Sequence, residues 1–197
     1  MDLETRLSEL RAEGALAPLA TLAIEGYSPE LYGFLINVMG APSEAGEVLS
    51  QTIEDFWRGL PEFRGRCSVR TWLYLLAQHA ISRYRRSPWN RGMRTGDDHL
   101  DGLVDAAHSR TAPWQQTEVK DKWHELRRSL DPEDRTLLVL RVDRDLEWSE
   151  IARIVLGSDD PEQAELAREA ARLRKRFQLL KDELRVRARA AGLIESS

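Results

Sequence analysis

The chain has 197 residues, 42% hydrophobic and 31% charged, with a formal net charge of -4. That composition fits a soluble globular protein of one or two domains. Its longest apolar runs, such as Leu73 to Ala77, are far shorter than the roughly 20 residues of a membrane span, and the single cysteine, Cys67, excludes an internal disulfide framework. The acidic start, Met1 to Glu4, has no apolar signal core, so a cytoplasmic protein without membrane insertion is expected.

Nearly every segment reads as helix, and no sustained period-two alternation marks a strand. An all-α fold is expected, built from two small helical domains at residues 1–88 and 118–197, joined by a linker at residues 89–117. A first helix covers Leu16 to Glu25, and a second follows Pro29 with Leu31, Leu35, Val38 and Met39 on one stripe. Pro42 suits the first turn of a third helix, with Ser43 and Glu47 as its capping environment. That helix passes Val48, Ile53, Phe56 and Trp57 before stopping at Gly59 to Pro61. A fourth runs from Val69 to Arg86 and is ended by Ser87-Pro88. Glycines and clustered acids then mark the linker.

Periodicity resumes near Val119 in a helix running to Ser129. Asp131-Pro132 reads as an N-cap followed by proline at the first helical position, opening a helix through Leu137, Leu138 and Leu140. A short helix from Glu147 to Ile154 stops at Gly157. Asp160-Pro161 opens a long last helix with the apolar stripe Leu166, Ala170, Leu173, Phe177, Leu180 and Leu184.

The charges are sorted into blocks. Residues 168–189 carry nine basic and three acidic groups, 83–94 carry five arginines and no acid, and 143–165 carry eight acids and two arginines. One such block is as readily a solvated helix face as a binding surface. Separated basic blocks point to an anionic partner. Short helix, glycine turn and long basic helix form a helix-turn-helix pattern, whose last helix fits a DNA major groove. Arg168, Arg172, Arg174, Lys175, Arg176 and Lys181 are the candidates for that contact, by bidentate reading of guanine or by gripping phosphates.

In the first domain Phe63, Trp72, Tyr74 and Tyr84 lie among Arg64, Arg66, Arg70, Arg83, Arg85 and Arg86. Aromatics interleaved with arginines suit single-stranded nucleic acid. Trp72 and Tyr74 are two apart on one helix, so one is expected to pack inward and the other to cover surface. Catalysis has little support. His79, His99, His108 and His124 match no ligand spacing, Cys67 has no base nearby in sequence, and no phosphate loop appears. No enzyme activity and no cofactor are expected.

The stretch Phe63-Arg64-Gly65-Arg66-Cys67-Ser68-Val69-Arg70-Thr71-Trp72-Leu73-Tyr74 resembles the FRG-x-S-x-RTWL signature in region 2 of extracytoplasmic-function (ECF) sigma factors. Glu44 to Trp57 is similar to the segment upstream of it. Leu130 to Arg141, Trp148 to Ala152 and Leu173 to Gln178 resemble region 4, so the likeness covers about 150 residues in the family's order. The resemblance implies binding to core RNA polymerase and promoter DNA. Glu47, Gln51 and Asp55 would then meet the polymerase. Arg64, Ser68, Arg70, Trp72, Tyr74, Gln78, His79 and Arg83 would recognise and open the -10 element. The last helix would read the -35 element. An anti-sigma factor is a further partner the family often has. Ser50, Gln51 and His79 depart from the family's usual glutamine, glutamate and asparagine, and the turn at Ser158 to Glu165 is longer than usual. Two rival readings use only part of the chain: a stand-alone helix-turn-helix regulator, and an interaction module docking through residues 143–165. The acidic linker is a candidate for covering the basic faces in the free protein.

Overall fold

A computed structural model of the protein describes residues 2–87, 122, 123 and 125–194. Among these residues every regular element is helical, as an all-α fold requires. The linker expected at 89–117, the helix start at Val119, and His99, His108 and His124 lie outside the described residues.

Helix α1 (Leu3–Ala12) was not legible in the sequence; it buries Leu7 and Leu10 against α2. Helix α2 (Leu16–Met39) runs unbroken through Pro29, where two separate helices were expected. An interior proline costs about 3 kcal/mol. The buried row Leu19, Ala23, Tyr27, Leu31, Phe34, Leu35 and Val38 crosses the proline without a change of face. Each large side chain in it contributes roughly 1.5–3 kcal/mol, so burial outweighs the break. Helix α3 (Pro42–Gly59) begins at Pro42 as expected, but its N-cap is Ala41 and no side chain caps it. With proline at the first helical position, Ser43 already lies inside the helix and cannot serve as the cap.

Helix α4 (Val69–Arg86) has the expected bounds, and the Ser68 hydroxyl accepts from the Thr71 backbone N–H at 3.0 Å. It packs against α2 and α3 on its other sides. That central position corrects the expectation for its aromatics, because both are buried. Trp72 stacks on Phe63 at 4.4 Å between centroids and leans on Phe56. Tyr74 meets Phe34 edge-on and donates its hydroxyl hydrogen to Glu30 at 2.7 Å. A helix gripped on two sides has two inward faces, so residues two apart can both be core.

In the second half, Asp131 is the N-cap of α5 (Pro132–Leu138), though its side chain makes no capping bond. The chain continues through a π-helical turn, Val139–Asp143, into α6 (Trp148–Leu156) and α7 (Gln163–Ala190). Helix α6 starts with a reciprocal capping box between Glu147 and Glu150. The α7 stripe packs as expected, with Trp148 edge-on to Phe177 at 5.5 Å. Helix α6 lies against α4, and buried residues of both halves form one continuous apolar cluster.

Candidate nucleic-acid interface

Gly157 has φ of +68°, a left-handed conformation that glycine adopts without strain, and it turns α6 into the approach to α7. The Arg153 guanidinium donates to the Asp159 carbonyl at 2.6 Å and braces that turn. The apolar stripe of α7 then faces α5 and α6, which leaves the opposite side to solvent. Arg168, Arg172 and Lys175 follow one line along it, with Arg174 to one side, and all four are exposed. Ala164 and Ala171 lie on the same face, so little stands between these cations and an approaching duplex. Arg172 is held by Glu169 one turn back, at 2.6 Å.

Arg176 and Lys181 are placed differently. Arg176 is tied to Asp134 at 2.5 Å and to Glu133 at 2.6 Å on α5, and these hydrogen bonds raise its pKa above the ordinary value. The Lys181 ammonium sits 5.5 Å from the centroid of the Phe177 ring. Arg176 thus ties α7 to α5, whereas the Lys181 contact stays within α7. Leu179, 64% exposed, lies on the cationic face and was not singled out from sequence.

In the first half, Glu4 of α1 reaches the start of α4 and accepts from the backbone N–H of Val69 at 3.0 Å and Arg70 at 2.8 Å. This distant cap was invisible in sequence, since 65 residues separate the partners. Arg70 donates to Glu30 through both Nε and Nη2, and through Nη2 to the Arg144 carbonyl at 2.8 Å. Ser68 shares a hydrogen bond with Thr71 at 2.8 Å, and Thr71 donates to Glu150 of α6 at 2.7 Å. Arg66 pairs with Asp160, which depresses the Asp160 carboxyl below its usual value. His79 is half-buried against Gly157, and burial lowers its pKa, with Arg83 adding to the shift. Arg64 is exposed at the rim, while its carbonyl accepts from Arg11.

The residues expected to meet polymerase lie on α3. Glu47 is exposed, and Gln51 donates to Asp55 at 3.2 Å. Asp55 in turn pairs with Arg83 of α4, so one ion pair ties two expected surfaces together. Trp57, which the apolar pattern grouped with Val48 and Phe56, is 46% exposed on this helix. Among the described residues, no helix is long and apolar enough to cross a membrane.

Residues 23–91 match the family model for Sigma-70 region 2. RNA polymerase sigma factor YlaC of Bacillus subtilis is 28% identical over 163 residues, covering 81% of this chain and 92% of that protein. RNA polymerase sigma-H factor of Pseudomonas aeruginosa is 24% identical over 141 residues, covering 68% of this chain and 73% of that protein.

Proposed function

We propose that the chain is an ECF-type sigma factor, which binds core RNA polymerase in the cytoplasm and directs initiation at promoters through two separate DNA contacts. The observation that carries the reading is a pairing within one chain. A region 2 match covers residues 23–91, and a helix-turn-helix further on exposes Arg168, Arg172, Arg174 and Lys175 along its second helix.

In this reading α7 enters the major groove at the -35 element. Arg174 and Lys175 contact base edges, and Arg168 and Arg172 grip phosphates. The loop before α4 and the face of α4 take the -10 element, with Arg64, Ser68, Arg70, Gln78, His79 and Arg83 as the contacting set. Trp72 and Tyr74 shape that face from beneath it. The side of α3 carrying Glu47, Gln51 and Asp55, with Trp57 beside it, meets the polymerase. No step requires chemistry by this chain; its work is binding energy spent on opening DNA, a few kcal/mol for an unstacked base.

The test is transcription in vitro with purified core polymerase and a promoter library. Initiation at a defined subset of promoters is expected, together with co-purification of the chain with core. Duplex binding without any initiation or core binding would favour a stand-alone helix-turn-helix regulator and sink this reading.

A further inference from the structure

Helix α1 lies outside the stretch that matches region 2, yet it reaches the loop before α4 at two points. Its inner face carries Leu3, Glu4, Leu7, Leu10 and Arg11 at helical spacing. Leu7 and Leu10 are buried. Leu3 packs on α2 where Gly26 leaves room, since a Cβ there would stand 2.5 Å from the Leu3 Cδ2. These apolar contacts fix where the two polar side chains of the same face arrive.

Glu4 arrives at the exit of the loop. Its Oε2 accepts from the Val69 N–H at 3.0 Å and its Oε1 from the Arg70 N–H at 2.8 Å. Ser68 takes the Thr71 N–H at 3.0 Å. A helix cannot satisfy its first N–H groups from within, and here those of Val69 and Arg70 are held by a carboxylate from another element. Tyr27 of α2 donates to Glu4 Oε1 at 2.7 Å and keeps that carboxylate in place. Arg11 arrives nearer the start of the loop. Its Nη1 donates to the Arg64 carbonyl at 3.0 Å. Its guanidinium lies over Gly65, where a Cβ would stand 2.4 Å from the Arg11 Cζ. Gly65 has φ of +69°, so glycine supplies both the turn and the clearance. The entrance to the loop is held from elsewhere, by Phe63 stacked on Trp72. Between these anchors the Arg64 side chain stays exposed.

We propose that Glu4 and Arg11 are positioning residues for promoter opening: α1 sets the shape of the loop at 64–68 before DNA arrives, so that the side chains assigned to the -10 element meet the strand in one register. The proposal rests on the promoter-binding reading. Opening DNA costs unstacking, and a loop that had to be ordered at the same moment would subtract further from binding. The Arg11 bond is exposed and adds little to overall stability. What it determines is the path of the backbone at Arg64 and Gly65.

The experiment compares the full-length wild type with R11A, R11K and E4Q. Amide hydrogen exchange is measured in the free protein. Opening is measured with core polymerase, from the fluorescence of 2-aminopurine placed in the -10 element, across a library of -10 sequences. R11A should keep the wild-type melting temperature, core affinity and duplex affinity. Its amides over residues 64–70 should exchange on the order of tenfold faster, and opening should slow by about tenfold, with a flatter base preference. R11K keeps a donor for the Arg64 carbonyl and should recover most of the rate. E4Q keeps the shape of Glu4 but only one accepting oxygen, so it should quicken exchange at Val69 and Arg70 and slow opening likewise. Unchanged exchange in both R11A and E4Q would overturn the dependence of the loop on α1. Faster exchange with wild-type opening and base preference would overturn the positioning role. Equal losses of core binding, duplex binding and opening would reduce both residues to general stabilisers and overturn it too. Absence of initiation by the wild type would instead sink the promoter-binding reading, while exchange would still decide whether α1 shapes the loop.

Discussion

Helices α4 and α7 both carry runs of basic residues, and the fold disposes of them in opposite ways. On α4, Arg70 is held by Glu30 and the Arg144 carbonyl, and Arg83 by Asp55; just before the helix, Arg66 is held by Asp160. Every one of those partners comes from another element. On α7, Arg168, Arg174 and Lys175 stand exposed, and Arg172 meets only its helical neighbour Glu169. The difference arises from position. Helix α4 is central and is touched by α2, α3 and α6, so its cations are within reach of carboxylates brought from distant parts of the chain. Helix α7 is peripheral and packs along one stripe, with Arg176 beside it tied to α5, so the opposite face meets only water. A basic run therefore announces a binding surface only when the fold leaves it unpartnered.

The comparison is broken most sharply by substitutions that should act on stability in one helix and on binding in the other. Trp72→Ala removes a ring packed between Phe56 and Phe63 and should cost about 3–5 kcal/mol in denaturant unfolding. A folded variant of near wild-type stability that lost only promoter opening would place Trp72 on the surface instead. Arg174→Ala and Lys175→Ala should leave the unfolding midpoint in place, and each should weaken duplex binding by about 1–3 kcal/mol if its side chain reads a base edge. A titration series in salt should show the steep loss expected of phosphate neutralisation, and a flat response would remove the cations from the interface.

Gly157→Ala should destabilise by more than about 1 kcal/mol, because alanine is strained at a φ of +68° and its Cβ meets His79. If thermal melts showed no change, the turn would not be seated on α4. The smallest effect is expected from Glu169→Ala. It removes a helical pair with a partly exposed arginine, worth about 0.2–1 kcal/mol of stability, and should strengthen duplex binding slightly by freeing Arg172. Weaker binding would mean that Glu169 orients Arg172 toward the DNA.

Much of the fold was legible from local pattern. The end of α4 followed from Ser87-Pro88 as a stop, and the α7 stripe followed from spacings of three and four. Three features were not legible. Helix α1 carries Leu3, Leu7 and Leu10 at helical spacing, a short signal diluted by the charges around it, and it owes its place to burial of Leu7 and Leu10 and to Glu4 capping α4. Pro29 signals a break locally, and only the continuous buried row of α2 overrides it. The inward packing of both Trp72 and Tyr74 needed a helix with neighbours on two sides.

For the interface, residue types and spacing on α7 brought out Arg168, Arg172, Arg174, Lys175, Arg176 and Lys181, and the fold leaves the first four exposed while it engages Arg176 and Lys181. Helical periodicity fixes which side chains point away from an apolar stripe, and that information is local. What covers α4 was decided by the tertiary structure alone. Thr71 and Glu150 are 79 residues apart, and Arg66 and Asp160 are 94 apart. The acidic block at 143–165 was visible as charge, yet nothing local says which face it meets. Pairing across such a separation is set by how the helices pack, and only then do Glu150, Asp159, Asp160 and a glycine turn become a cover for a basic surface.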